Sequence, residues 1–329
     1  MAKVIRFHEN GGPEVLRYED VEVGKAGPGE ARVWQSAIGV NFVDTYHRSG
    51  LYKLALPAGV GGEAAGVVES VGPGVTHLEA GDRVAYATGT PGAYATERIV
   101  PAERLVKLPT GVSEKQAAAM MLKGLTVWYL IRKTYAVKGG ETVLWHAAAG
   151  GVGLIAMQWL RALGVTVIGT VGSDDKATLA REHGCTHPIV YTRDDFAKRL
   201  RELTGGAGVP VVYDPVGKTT WAGSLDCLKP RGLMVSFGNA SGPVGLIDPI
   251  VLSQKGSLFL TRPTLASYAG TRADLEEGAA ELFAMVTSGQ VKIEITATYP
   301  LAEAARAHRD LEGRKTTGSV ILLPDAPRR

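Results

Sequence analysis

The sequence predicts an α/β protein of two domains: a β-rich, barrel-like domain split between the two ends of the chain, and a doubly wound parallel sheet inserted between its parts. Three observations carry this. The first ~120 residues break into short apolar strands separated by glycine and proline turns. Residues 142–237 alternate strands with helices of about ten residues, which calls for right-handed crossovers and a parallel sheet. Beyond ~265 the chain returns to isolated strands and amphipathic helices, more like its opening than its middle.

The elements follow in order. Strands are expected over 31–37, 64–71 and 83–86, with turns at Gly27-Pro28-Gly29, Gly72-Pro73-Gly74 and Gly81-Asp82. Helix formers take over near Lys115, and 115–135 reads as a helix. Strand 142–146 comes next, then helix 151–163 with apolar residues at 152, 155, 156, 159, 160 and 163. Strand 166–171 leads to helix 174–183, closed by Gly184. Strand 189–191, helix 194–203, strand 209–214, helix 221–228 and strands 232–237 and 258–261 complete the alternation. Helix 274–288, strand 292–298, helix 302–312 and strand 319–323 end the chain.

Composition narrows the function. The 329 residues are 45% hydrophobic, enough for sizeable cores. Lys plus Arg is 36 and Asp plus Glu is 33, a net charge of +3. That balance argues against nucleic acid or an anionic membrane as partner. The two cysteines, Cys185 and Cys227, exclude a disulfide framework and a four-thiolate metal site, and suit a reducing, cytoplasmic setting. The opening residues 1–6 reach charge too soon for a signal-peptide core. The longest weakly polar stretch, 147–160, is shorter than the ~20 residues a membrane span needs. Pro327-Arg328-Arg329 reads as a frayed tail.

The strongest local signal is Thr142-Val143-Leu144-Trp145-His146 followed by Ala147-Ala148-Ala149-Gly150-Gly151-Val152-Gly153 and an amphipathic helix. Ala147, Gly150 and Gly153 have the A-x-x-G-x-x-G spacing of a dinucleotide fingerprint. The turn must be tight, the backbone must approach a pyrophosphate, and the N–H groups at the helix start face its oxygens. The strand after it ends Gly169-Thr170-Val171-Gly172-Ser173, without the acid that holds a ribose diol. Lys176 and Tyr191 lie close by, which suits a 2′-phosphate and NADPH. Asp174 and Asp175 leave two readings. Either is the diol ligand displaced by two residues, or Ser173 caps the helix and both acids are N-terminal charges facing solvent. The second is adopted.

Further segments stand out beside the glycine turn His146 to Gly153: Gly11-Gly12-Pro13-Glu14-Val15-Leu16, Asn41-Phe42-Val43-Asp44-Thr45-Tyr46, Gly62-Glu63-Ala64-Ala65-Gly66, Lys123-Gly124-Leu125-Thr126 and Ser236-Phe237-Gly238-Asn239. On these the chain resembles the zinc-free quinone oxidoreductases, the zeta-crystallin-like branch of the medium-chain dehydrogenase/reductase superfamily. The resemblance implies a GroES-like catalytic domain over 1–124 and 266–329, a Rossmann domain over 125–265, NADPH in the cleft and a homodimer. Zinc-dependent relatives place Cys and His ligands where this chain has Asn41 and Gly62, so no metal is expected. Cys185-Thr186-His187 lacks partner ligands and reads as a strand start.

Residue by residue, the resemblance places Asn41, Phe42, Val43, Asp44 and Thr45 near the nicotinamide, and Tyr46 and Tyr52 along the substrate cleft. Thr126 and Tyr129 would border the cofactor, and Gly150, Gly151 and Val152 would hold the pyrophosphate. Gly172, Ser173, Lys176 and Tyr191 would surround the 2′-phosphate. Val216, Phe237, Gly238, Asn239 and Ser241 would follow the ribose and nicotinamide. Arg262, Pro263 and Thr264 lie where the chain leaves the Rossmann domain, and Arg314 would approach the phosphates. The implied activity is NADPH-dependent reduction of a quinone, with Asn41, Tyr46 and Tyr52 as the catalytic set. Two alternatives stand beside it: reduction of enones or 2-alkenals, and a non-catalytic NADPH- or RNA-binding role. Tyr129 to Lys133 also fits Y-x-x-x-K, but it precedes the glycine turn and reads as helix surface.

Overall fold

The computed structural model describes residues 1–87 and 89–325, so the Pro327-Arg328-Arg329 tail lies outside the described residues. The chain divides into two compact units. The first comprises Met1–Leu125, Ala269–Thr287 and Ile293–Arg329; the second comprises Thr126–Tyr268 and Ser288–Lys292.

The first unit opens with β1 (Ala2–Phe7), β2 (Arg17–Val21) and β3 (Glu30–Val40). Helix α1 (Phe42–Ser49) follows, then β4 (Ala58–Gly59), β5 (Ala64–Val71), β6 (Arg83–Tyr86), β7 (Glu97–Pro101) and β8 (Val106–Lys107). Helix α2 (Glu114–Trp128) leads on to the second unit. The sheets are β2-β1-β4 and β15-β16-β3-β5-β6-β8, with β7 also on β3; β15 and β16 are Ile295–Pro300 and Ser319–Leu323. β3 organises the larger sheet. Ala31, Val33 and Gln35 alternate inward, and its eleven residues reach both β5 and β7. The final strands thus complete a sheet begun by the opening ones, as the return of β-type sequence near the end anticipates.

In the second unit β9 (Thr142–Trp145), α3 (Gly151–Ala162), β10 (Thr166–Val171), α4 (Asp174–Glu182), β11 (His187–Val190) and α5 (Phe196–Leu203) alternate. They continue into β12 (Val209–Asp214), α6 (Trp221–Cys227), β13 (Leu228–Ser236), α7 (Ile250–Gln254), β14 (Phe259–Thr261) and α8 (Leu265–Tyr268). The sheet order is β11-β10-β9-β12-β13-β14, every pair parallel. This is the doubly wound arrangement, with its order reversing beside β9. Leu144, Ile168, Val212 and Met234 from four neighbouring strands share one core. Both cysteines are free thiols buried in this unit.

Two differences from the sequence expectation have physical reasons. Residues 115–135 are not one α-helix: α2 ends at Trp128, and Tyr129–Thr134 forms a π-helical turn. Tyr129 is therefore not helix surface. It is buried and stacked on Tyr268 at 4.8 Å, while Lys133 is exposed. Helix α3 is buried from Gly153 to Leu160 rather than along one face. Its one polar side chain there, Gln158, donates to Leu154 O and Lys292 O and accepts from Lys292 N–H. That pairing satisfies a buried amide and ties the short return Ser288–Lys292 to this unit. Helices α9 (Arg272–Thr287) and α10 (Ala304–Glu312) belong to the first unit.

Candidate active site

In the second unit, β9 runs into the glycine turn. Ala147 takes φ +55°, a left-handed conformation uncommon for a residue with a Cβ. A Cβ at Gly153 would overlap the carbonyl oxygens of Ala147 and Ala148, so the helix can approach its strand only with glycine there. Gly150 is the N-cap of α3 and has no side chain with which to cap it. Gly150, Gly151 and Val152 are partly exposed while the rest of the turn of α3 is buried. The N–H groups of Gly151 and Val152 at the start of α3 carry partial positive charge and have no side-chain cap. These features fit a dinucleotide pyrophosphate.

At the tip of β10, Ser173 is the N-cap of α4 and its Oγ accepts from Lys176 N–H at 3.3 Å. Asp174 and Asp175 are exposed, and Asp174 meets Arg193 at 3.2 Å. The acids are thus helix N-terminal surface charges. The Tyr191 hydroxyl rests 2.9 Å from where a Cβ on Gly172 would stand. Gly172, Ser173, Lys176 and Tyr191 therefore gather at one strand tip.

Buried Asp214 shapes the next loop. Its Oδ1 accepts the N–H groups of Val216 (2.7 Å) and Gly217 (3.0 Å); its Oδ2 accepts from Thr220 Oγ1 and Ser224 Oγ. His146 lies behind, with Nδ1 2.8 Å from Thr170 Oγ1 and Nε2 2.9 Å from Ser224 Oγ. Burial lowers the imidazole pKa, against the opposing pull of Asp214. Ser241 Oγ donates to Val216 O, and Phe237 N–H to Asp214 O. Gly238 passes so close to Pro215 that a Cβ would overlap its carbonyl oxygen. Arg262 Nη1 holds Ser236 O and Gly238 O at 2.9 and 3.0 Å. So Val216, Phe237, Gly238, Asn239 and Ser241 share one loop cluster, with Arg262 as its brace. Pro263 is buried and Thr264 bonds Ser267 Oγ. Thr126, 8% exposed, and Tyr129 start the unit.

In the first unit, Asn41 caps α1, 6% exposed. Its N–H donates to Asp44 Oδ2 at 2.8 Å, and its Nδ2 donates to Glu63 Oε2 at 2.8 Å. Glu63 is fully buried and also accepts from Leu122 N–H (2.7 Å) and Lys123 Nζ (3.3 Å). Phe42 and Val43 are half-buried; Thr45 Oγ1 donates to Phe42 O. Asp44 is fully buried, so its carboxylate serves the turn itself. Tyr46 and Tyr52 pack edge to face at 5.3 Å, with Tyr52 the more exposed. Arg314 stands past the end of α10 at φ +56°.

The sequence reading missed the buried ions behind Asn41: Glu63 and Lys123 as its supports, and the groups beyond Asp44. Their signal was present. Glu63 and Lys123 each interrupt an apolar run, and His308 falls on the apolar face of α10 with Ala304 and Ala307. A polar or charged group in such a place needs a buried partner.

Among the described residues no group of three or more His, Cys, Asp or Glu could hold a metal ion. The parallel sheet with its glycine turn, inserted in a β-rich unit, defines a medium-chain dehydrogenase/reductase. Residues 27–110 match the alcohol dehydrogenase GroES-like domain, and 151–285 match the zinc-binding dehydrogenase domain. The chain is 58% identical to a quinone oxidoreductase of Pseudomonas aeruginosa, across 98% of this chain and 100% of that protein. It is 49% identical to a 2-haloacrylate reductase of a Burkholderia species, across 99% of each. The crystal structure of Escherichia coli quinone oxidoreductase complexed with NADPH superposes with a TM-score of 0.97 at 51% identity, covering 98% of this chain and 100% of that one. This chain belongs to the quinone oxidoreductase family.

Proposed function

We propose that this protein is an NADPH-dependent quinone reductase that works without zinc. The observation that carries the reading is the full-length likeness to quinone oxidoreductases, one of them solved with NADPH. When bound, NADPH supplies the reducing equivalents. The first turn of α3 binds its pyrophosphate, and Ser173, Lys176 and Tyr191 bind the 2′-phosphate. Val216, Gly238, Asn239 and Ser241 hold the ribose and nicotinamide. Asn41 orients the nicotinamide or the acceptor, and Tyr46 or Tyr52 donates a hydrogen bond to the acceptor oxygen. A quinone gives a stable phenolate on reduction, so positioning and water exclusion suffice and no Lewis acid is required.

We place the protein in the cytoplasm, since both cysteines are free thiols. Among the described residues no helix is long and apolar enough to cross a membrane. We also propose a homodimer, supported by the exposed apolar residues along the β14 edge and α7: Ile250 (54%), Phe259 (61%) and Leu260 (37%).

The test is NADPH oxidation, followed by near-ultraviolet absorbance, with 1,4-benzoquinone, 9,10-phenanthrenequinone, an enone, a 2-haloacrylate and no acceptor. Turnover with quinones, undiminished by a chelator, is expected. Turnover with only the alkenes would assign the activity of the Burkholderia relative instead. Lys176→Ala should weaken NADPH by about 1–3 kcal/mol and leave NADH almost unchanged; equal losses would remove the 2′-phosphate role.

A further inference from the structure

We propose that Tyr94, His308 and Arg48 are positioning residues that act through Asp44 on Asn41, and that proton uptake at Asp44 Oδ1 loosens their hold on the first turn of α1. The proposal rests on the reading that Asn41 belongs to the nicotinamide and acceptor site.

The chain of bonds has one possible direction. Arg48 lies on α1 with its side chain 3% exposed. Its Nε donates to Gly11 O at 3.0 Å, and its two terminal nitrogens reach the Glu312 carboxylate at 3.0 and 2.7 Å. Nη1 also donates to His308 Nδ1 at 3.0 Å. A guanidinium only donates, so Nδ1 must be the bare nitrogen and the neutral ring carries its hydrogen on Nε2. Nε2 lies 3.1 Å from Tyr94 Oη and must donate to it. Tyr94 is then left to donate its own O–H to Asp44 Oδ2, at 2.9 Å. The same Oδ2 accepts the Asn41 N–H. One carboxylate oxygen therefore takes two donors, the Tyr94 O–H from this chain of bonds and the Asn41 N–H from its own turn.

Oδ1 is buried and finds no donor among the described residues. An added proton goes there, because Oδ2 is engaged. The groups that face this carboxyl are Asn41 from its own turn, Tyr94 with His308 and Arg48 behind it, Glu63 ahead of β5, and Lys123 from α2. Burial pushes the Asp44 carboxyl up to about 7, with Glu63 adding to the rise; Asn41, Tyr94 and Lys123 oppose it. Burial and the adjacent Arg48 push His308 down to about 3, which keeps its ring neutral and the bond direction fixed. Once protonated, Asp44 is a weaker acceptor at Oδ2. The bonds from Asn41 N–H and Tyr94 slacken together, while Glu63 still grips the Asn41 side chain.

The experiment follows two readouts across pH 5.5–9: the Kd of NADPH by tryptophan fluorescence, and the carboxyl carbonyl band of the free protein by difference infrared spectroscopy. The wild type should show an inflection near pH 7 in both, and Asp44→Asn should lose it. Tyr94→Phe and His308→Leu each strip support from the carboxylate and should move it up by about one pH unit. His308→Gln can still accept from Arg48 and donate to Tyr94, so it should keep the wild-type inflection. Unmoved inflections in Tyr94→Phe and His308→Leu would overturn the proposal. Should those two not fold, an inflection that persists in the near-isosteric Asp44→Asn overturns it alone. Asn41→Ala separates the two readings. If that variant binds NADPH and turns over quinone normally, the site assignment fails; if it is impaired while Tyr94→Phe titrates like the wild type, only this proposal fails.

Discussion

Asp44 and His308 sit on either side of one tyrosine hydroxyl and titrate against each other. The carboxyl is raised from 3.8 to about 7 in the fold, so the native state holds more protons than the unfolded state in that interval. Its contribution to stability is complete below about pH 4 and is lost as pH rises towards 7. His308 is lowered from 6.5 to about 3, so the unfolded state holds more protons there. Its contribution is complete above pH 6.5 and is lost as pH falls. Thermal melts near pH 4.5 and 7.5 should reveal opposite slopes. Relative to Asp44→Asn, the wild type should lose stability as pH rises; relative to His308→Gln, it should gain. Each change should be on the order of 3 kcal/mol; parallel slopes would contradict the assigned protonation states. Single residues were legible where their type is restricted. Asn41, Gly62 and the glycines of the turn announce themselves. The Arg48–His308–Tyr94 chain does not, because its members lie up to 260 positions apart and are joined only by folding.

The glycine turn was legible as an element because strand, turn and helix each have their own pattern, and β10, β12, β5 and β16 span the residues expected of them, because short apolar runs between breakers and helices mark buried strands. The π-helical turn after Trp128 was not, since helix formers continue past the point where Tyr129 must swing to stack on Tyr268. Nor was α1 expected: its first turn, Phe42-Val43-Asp44-Thr45, has weak helix propensity and depends on the reciprocal Asn41–Asp44 cap. The turn also sets a contrast between two glycines. A Cβ at Gly150 would meet only Ala147 O, at 3.3 Å, whereas one at Gly153 overlaps two carbonyls. Gly153→Ala should therefore cost about 1–3 kcal/mol in unfolding experiments and weaken NADPH at least about tenfold. Gly150→Ala should be the milder in stability, and the reverse order would refute the packing argument.

On the scale of the whole molecule, the alternation from 142 onward and the β-rich ends gave the two-unit architecture, but the short return Ser288–Lys292 was hidden, because only the Gln158 pairing marks it. The exposed edge at β14 bears on assembly. A charge placed there should oppose strand pairing with a second copy, so Leu260→Lys is expected to turn a sedimenting dimer into a monomer with NADPH affinity retained. An unchanged sedimentation coefficient would place the interface elsewhere.

The two cysteines have a consequence for an enzyme of this substrate class. Cys185 and Cys227 are buried, and burial pushes both thiols up to about 12. Quinones are electrophiles that alkylate sulfur, and the attacking species is the deprotonated form. A catalyst that lives among such molecules thus holds both its thiols neutral and enclosed, the state in which they react most slowly with its own substrates.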